Sequence, residues 1–325
     1  MGSTQGYPRL LGDIGGTHAR WAWQAYAEAS LQDISVLPCD ASASLADAAM
    51  DYLEATGHSN PECAAIGIAA TISGDSVRMT NNAWTFSIER LKHSLGVKRC
   101  LLINDFTALA LSLPALDRSD RYAVGGGSAV DGAPIALIGA GTGLGVSGLL
   151  KSHAGHYCAL SGEGGHVTLA AADESESALL TRLRRHLEHV SAERLISGPG
   201  LVELYRGVCE LEGRTALSLS PGEVTAAAKT GINPDCVASV NYFSSFLGNV
   251  AGNLALTLGA RGGLYVGGGV VPLLGRAFNT SLFRQRFEDK GRFKDYLAAI
   301  PTWIITATTP ALMGASRALD LMPAE

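Results

Sequence analysis

One pattern occurs twice in the chain and limits what it can fold into. An apolar strand runs into a glycine-threonine turn, and a second strand follows. The first copy, LLGDIGGTHARWAW, predicts strands over residues 10–14 and 20–26, joined by Gly15-Gly16-Thr17-His18. The second predicts a strand over 135–138, the turn GAGTGLG, and a strand over 146–150. A repeat of this kind points to a duplicated α/β architecture. With 325 residues the chain has room for two domains.

The intervening segments alternate in the same way. Residues 44–56 have helix composition, with Ser42 or Ser44 as N-cap. AAIGIAA, 64–70, is a continuous apolar run, as expected of a strand covered on both faces. A helix over 87–95 and a buried strand over 99–103 follow. That strand ends in Asn104-Asp105, ahead of a helix from Thr107 that Pro114 ends or kinks. The middle, 175–229, reads as mostly helical. A strand over 263–266 leads into Gly267-Gly268-Gly269, and a last strand is predicted over 303–307. Thr309-Pro310 caps and starts a final helix.

Composition excludes several classes. Hydrophobic residues make up 47% and charged residues 17%, so the chain is globular rather than disordered. Net charge is −5, and Arg182, Arg184 and Arg185 are interleaved with leucines as one helix face. Without a basic footprint, nucleic acid is not expected as a partner. The six cysteines, Cys39, Cys63, Cys100, Cys158, Cys209 and Cys236, are scattered, as in reduced cytoplasmic proteins. MGSTQGYPRL has no apolar core of a signal peptide. Residues 242–258 are apolar but carry Asn249, Gly252 and Asn253, which predicts a buried helix and no membrane partner.

Glycine is abundant, 39 of 325 residues or about 12%, against an average near 7%. The glycines cluster in short turns, where a bare backbone can approach a ligand. No G-x-x-x-x-G-K-[ST] occurs. Gly143, Gly145 and Gly148 do form G-x-G-x-x-G, but strand-like sequence follows them rather than a helix N-terminus, so a dinucleotide site is disfavoured. The alternative is a phosphate grip, in which Gly15, Gly16 and Thr17 point successive N–H groups and a hydroxyl at phosphate oxygens. Asp13 at the mouth of that turn would repel phosphate unless a cation lay between, which suits Mg²⁺. Taken alone, Asp13 also suits a tight hairpin as a turn former. His153, His156 and Cys158 form H-x-x-H-x-C but lack an evident fourth ligand for zinc.

DIGGTHARWA, LLINDFTALALSLP, GAGTGLGVSGLL, GEGGHVTLA, SAERLISGPGLVELY and LYVGGGVVP, in this order, resemble the bacterial glucokinase family, the group without a zinc-binding repressor-type motif. The resemblance runs from Gly12 to ALMGASRAL near the end. It implies an α/β two-domain actin-like ATPase fold (hexokinase and ribonuclease H-like) with an interdomain cleft. Residues 1–113 with 307–325 would form a small domain, and 114–306 a large one. The implied reaction transfers the γ-phosphoryl of ATP to the 6-hydroxyl of glucose, in the cytoplasm, by a homodimer. Gly15, Gly16 and Thr17 correspond to the first phosphate segment. Gly141, Thr142 and Gly143 correspond to the second, and Gly267, Gly268 and Gly269 lie against the adenosine.

Phosphoryl transfer to a sugar needs a base for the hydroxyl and positive charge or N–H donors around the phosphoryl group. Asp105, just past a buried strand, corresponds to the base; from its position alone it could equally be a helix N-cap. Asn104, Glu163, His166 and Glu193 correspond to sugar contacts, which fits a ligand whose hydroxyls each donate and accept. Residues 79–84, MTNNAW, resemble a supporting stretch near the sugar, with Trp84 as packing. Other expectations stay open at this level: a kinase for another hexose or amino sugar, a sugar-binding regulator, and a nicotinamide oxidoreductase. The regulator would need a DNA-binding segment ahead of a first strand that starts by Leu10.

Overall fold

The computed structural model describes residues 6–70, 72, 74–79 and 82–322. They group into two compact units. The first holds the chain through Asp117, Ser152–Ser161, and the chain from Ala307. The second holds Arg118–Lys151 and Gly162–Thr306.

In the first unit the strands are β1 (Arg9–Ile14), β2 (His18–Gln24), β3 (Gln32–Pro38), β4 (Cys63–Ile68), the short pair β5 (Ser76–Arg78) and β6 (Thr85–Ser87), and β7 (Arg99–Asn104). The main sheet has the order β3-β2-β1-β4-β7. β1 and β2 form the expected hairpin, with Leu10 opposite Trp23 and Asp13 opposite Arg20. β1, β4 and β7 run parallel, so their C-terminal ends lie along one edge. All six residues of β4 are buried, as its unbroken apolar run predicts. Helix α1 (Leu45–Thr56) is capped by Ser44, whose side chain accepts from Asp47 N–H. Helix α2 (Ile88–Leu95) is capped by Ser87. Helix α3 (Asp105–Ser112) starts two residues earlier than its sequence suggests.

The second unit repeats the plan. Its strands are β8 (Arg121–Gly125), β9 (Ile135–Ala140), β10 (Leu144–Lys151), β12 (Leu264–Gly267) and β13 (Thr302–Ile305); β11 (Tyr157–Gly162) spans the boundary between the units. β9 and β10 form a hairpin, β9, β12 and β13 run parallel, and β8 lies antiparallel on β13. Each unit thus has the strand–turn–strand hairpin of the repeated pattern, with two further strands running parallel to its first strand. The middle of the chain forms α4 (Glu174–Leu183), α5 (Ala192–Leu195), α6 (Gly198–Leu211) and α7 (Pro221–Thr230). Arg184 and Arg185 fall just past α4, and Arg182 and Arg185 both pair with Glu210.

Helix α8 (Pro234–Leu258) contains the apolar 242–258 stretch and forms the centre of this unit's core. Phe243, Phe246, Leu247, Ala251 and Ala255 are fully buried. Gly248 and Gly252 leave room for the backbone carbonyls of Phe283 and Phe287 on α10 (Thr280–Glu288), with α9 (Val270–Leu274) before it and α11 (Lys294–Ala298) after. Asn249, the polar residue that argued against a membrane span, donates to the Ala170 carbonyl at 3.2 Å. Among the described residues no helix is long and apolar enough to cross a membrane.

The last helix, α12 (Pro310–Leu321), belongs to the first unit. Thr309 precedes it but makes no side-chain cap, contrary to the sequence expectation; Pro310 at the first turn needs no N–H partner. Leu312, Ala315 and Leu319 of α12 pack on Leu11, Ala22 and Ala65 of the sheet.

Candidate functional site

In the first unit the predicted residues gather at the C-terminal ends of the parallel strands, where open α/β sheets bind ligands. Asp13 is the fifth residue of β1, and its neighbours are Arg20 on β2 and Gly67 on β4. A side chain on Gly67 would have its first carbon 3.6 Å from the Asp105 Cα and 3.2 Å from the Ala108 Cβ. Glycine at 67 therefore lets α3 settle on the sheet and brings Asp105 close to the strand beside Asp13.

Asn104, not Asp105, caps α3. Its Oδ1 accepts from Phe106 N–H at 2.9 Å and from Thr107 N–H at 3.2 Å. With the oxygen committed to the cap, what Asn104 can offer a sugar hydroxyl is its amide nitrogen, a donor. Asp105 is the first residue of the helix, and its Oδ1 accepts from Phe106 N–H at 2.9 Å. That bond orients the carboxylate, which is half-buried.

The turn after Asp13 closes through Gly15 N–H to the His18 carbonyl at 3.0 Å. Cys39 braces it, with its N–H on the Thr17 carbonyl at 2.9 Å. The Thr17 hydroxyl is exposed, 3.0 Å from His18 Nδ1. Gly16, Thr17 and His18 border a cavity of about 690 Å³ whose far wall includes Asn82 and Trp84. Trp84 is 6% exposed and donates to the Ser42 carbonyl, so it serves as packing, and Met79 is buried too. Thr80 and Asn81 lie outside the described residues.

Burial pushes the Asp13 carboxyl above its ordinary range, and the Arg20 guanidinium, 3.4 Å away, pulls it back only in part. Sequence reasoning missed Arg20. Its signal was the hairpin register, which sets Asp13 and Arg20 opposite each other once the turn is placed.

In the second unit the two remaining glycine clusters sit side by side, because β9 and β12 are parallel neighbours with Gly139 opposite Gly267. Some of these glycines serve the fold itself. Gly268 has φ +78°, and a side chain there would strike the Ala140 backbone. A side chain on Gly139 would strike Gly267. Others have no such reason. Gly141 and Gly269 have open space where a side chain would be, and Gly15 in the first unit meets nothing nearer than 3.7 Å; none of the three has a left-handed backbone. The packed protein would tolerate a larger residue at each.

Strand β10 begins directly at Leu144, so the G-x-G-x-x-G runs into a strand and offers no helix N-terminus to a pyrophosphate. The turn Gly141–Gly143 is held by Gly141 N–H to the Gly143 carbonyl and by Gly198 N–H to the Gly141 carbonyl, both 2.8 Å.

Glu163, His166 and Glu193 converge. His166 Nδ1 is 3.8 Å from Glu193 Oε1, and its Nε2 is 4.0 Å from Glu163 Oε2. The imidazole thus stands between two carboxylates, an alternation of acceptor and donor suited to a polyhydroxylated ligand. His166, Glu193 and exposed Thr142 line one cavity of about 710 Å³. Arg194, His186 and His189 line it too and were not foreseen; the two histidines lie in a loop without motif character, and Arg194 sits on α5 beside Glu193.

His153 and His156 flank the turn between β10 and β11, with Cys158 exposed beyond it. Among the described residues no group of three or more His, Cys, Asp or Glu side chains is arranged to hold a metal ion.

The glucokinase family model matches residues 10–322. The chain belongs to the glucokinase family. The glucokinase of Aromatoleum aromaticum is 51% identical over 320 residues, covering 98% of this chain and 96% of that protein. The glucokinase of Chromobacterium violaceum is 50% identical, covering 96% and 89%. Among solved structures, a glucokinase from an Antarctic psychrotroph superposes with a TM-score of 0.87 at 35% identity, covering 97% of this chain and 99% of that one. The two repeated sheets are those of the actin-like ATPase fold, and the activity is ATP-dependent phosphorylation of glucose. The nicotinamide oxidoreductase and regulator readings fall with this result.

Proposed function

We propose that this glucokinase-family enzyme phosphorylates the 6-hydroxyl of glucose with Asp105 as general base. Asn104, Asp105, Glu163, His166 and Glu193 hold the sugar. Gly15, Gly16 and Thr17, with Gly141, Thr142 and Gly143, take the ATP phosphates, and Gly267, Gly268 and Gly269 lie against the adenosine. The observation that carries the phosphate assignment is the open space at Gly15 and Gly141, two turn glycines without a left-handed backbone. Asp105 accepts the proton of the hydroxyl as that oxygen attacks the γ-phosphorus and the bond to the ADP oxygen breaks. The turn N–H groups and the Thr17 and Thr142 hydroxyls offset the charge spreading over the transferring oxygens.

A magnesium ion would supply the rest of the positive charge. The residues fit one: Mg²⁺ is usually held by one or two carboxylates together with substrate phosphates and waters, and Asp13 is the buried carboxylate beside the first turn. Arg20 so close to it favours contact through water over direct ligation. Asp13→Asn is then expected to raise the Mg²⁺ concentration for half-maximal activity by about 10–100-fold. Glucose affinity should not change, and a variant with the wild-type Mg²⁺ requirement would remove Asp13 from the metal's surroundings. The scattered free cysteines, with Cys39, Cys63, Cys209 and Cys236 buried, support a cytoplasmic setting; a homodimer is what the resemblance implies.

The test of the sugar assignment is ADP release with MgATP over glucose, mannose, fructose, glucosamine and N-acetylmannosamine. Glucose should be turned over fastest. Faster turnover of another sugar would keep the phosphate turns and overturn the sugar contacts.

A further inference from the structure

Glu193 faces two ways. Its Oε1 looks toward His166. Its Oε2 accepts a hydrogen bond from Leu144 N–H at 2.9 Å. Leu144 is the residue at which the Gly141–Gly143 turn passes into β10. A carboxylate oxygen taking a backbone N–H is a charge-assisted contact, stronger and more directional than a neutral one.

The glycines around this contact show how tightly the two pieces are joined. A side chain on Gly143 would land on the Glu193 carboxylate. One on Gly165, in the GEGGH segment, would land on the Leu144 carbonyl, and one on Gly164 would press on Val146. Leu144 therefore has the Glu193 carboxylate on its N–H and the sugar-side turn against its carbonyl. A side chain at Gly143 would take the space of the Glu193 carboxylate, while its backbone, which is not left-handed, would accept alanine.

We propose that Glu193 is a positioning residue that couples the two substrates. This rests on the reading of Glu193 as a sugar contact and Gly141–Gly143 as a phosphate turn. Glucose, by fixing the carboxylate at Oε1, fixes Oε2 on Leu144 N–H and so presets the turn for the phosphates. By linkage the nucleotide must favour glucose by the same factor.

The test is calorimetric titration of glucose with and without a nonhydrolysable MgATP analogue. The wild type should bind glucose about 5–50-fold tighter with the analogue present, within the usual range of such couplings. Gly143→Ala displaces the flexible Glu193 carboxylate, both from Leu144 N–H and from its place at the sugar. It should weaken glucose binding about tenfold even without nucleotide, and bring the coupling factor near one. Gly141→Ala, in the same turn but with open space around it, is the control: nucleotide binding should weaken while glucose binding alone stays unchanged. Glu193→Gln, which keeps the shape of the side chain and loses its charge, should also lower the coupling factor and covers the case that Gly143→Ala folds poorly. Wild-type glucose binding in Gly143→Ala, or a wild-type coupling factor of one, would overturn the proposal. A wild type that binds the analogue but not glucose would instead overturn the underlying sugar assignment.

Discussion

Asp105→Asn is expected to lower kcat by about 10²–10⁴-fold, the usual contribution of a positioned general base. The substitution keeps the shape of the side chain and its acceptor oxygen, so Phe106 N–H can still be held and the start of α3 should persist. What disappears is the capacity to take a proton. Glucose affinity should stay within a few-fold of wild type, because asparagine still offers the sugar an acceptor and gains a donor. The loss should therefore appear in kcat rather than KM, the mark of an interaction made in the transition state. Steady-state ADP release at saturating glucose, beside a circular dichroism melt, measures both. A variant retaining a tenth or more of wild-type kcat would rule out Asp105 as the base.

Gly314→Val is expected to cost about 3 kcal/mol or more, at the upper end for overpacking a buried contact. The melting temperature should drop on the order of 6–12 °C. Helix α12 crosses α3 at Gly314 so closely that a side chain there would fall on the Ala108 carbonyl, and that atom is backbone and cannot swing aside. On its other face α3 rests on Gly67. The helix that begins with Asp105 is thus seated between two glycines and has nowhere to shift without moving its first residue. Activity should fall with stability, even though Gly314 touches no ligand-facing group. Gly222→Ala, at the start of α7 with open space around it, is the matched control and should leave both unchanged. Scanning calorimetry decides, and a valine variant melting within a degree or two of wild type would show that the helices can move apart at little cost.

Much of this was legible in the sequence because buried parallel strands are short apolar runs and glycine turns are distinct. β1, β4, β7, β9 and β12 were all foreseen, with ends within a residue or two. Edge strand β3 was not: its residues are mostly exposed, Ile34 and Val36 among them, and QDISVLP is no continuous apolar run. β8 and β11, also at sheet edges, escaped too, because neither has a buried residue to give it the unbroken apolar run of the central strands. The helix after Asn104 was placed too late because Asn and Asp are both good caps, and the sequence does not say which of two neighbours accepts the N–H groups. Glycine composition was read as one signal but has two sources. Gly141 and Gly143 look alike in GAGTGLG, yet one borders open space and the other makes room for a carboxylate fifty positions on. Only the folded chain brings Glu193 to Leu144 and separates the two roles.

The placement of α12 bears on how the protein is made. The first unit takes helix α12 from the stretch after Thr306, which leaves the ribosome only when everything in the second unit has already been synthesised. Until then Leu11, Ala22 and Ala65 lack Leu312, Ala315 and Leu319. Arg9 at the start of β1 likewise waits for the Ser316 carbonyl and Asp320. The half that carries Asp105 is begun before the second unit and completed after it. A nascent or C-terminally clipped chain would therefore present an unfinished apolar sheet face to chaperones and proteases, beside a second unit whose own core needs nothing further.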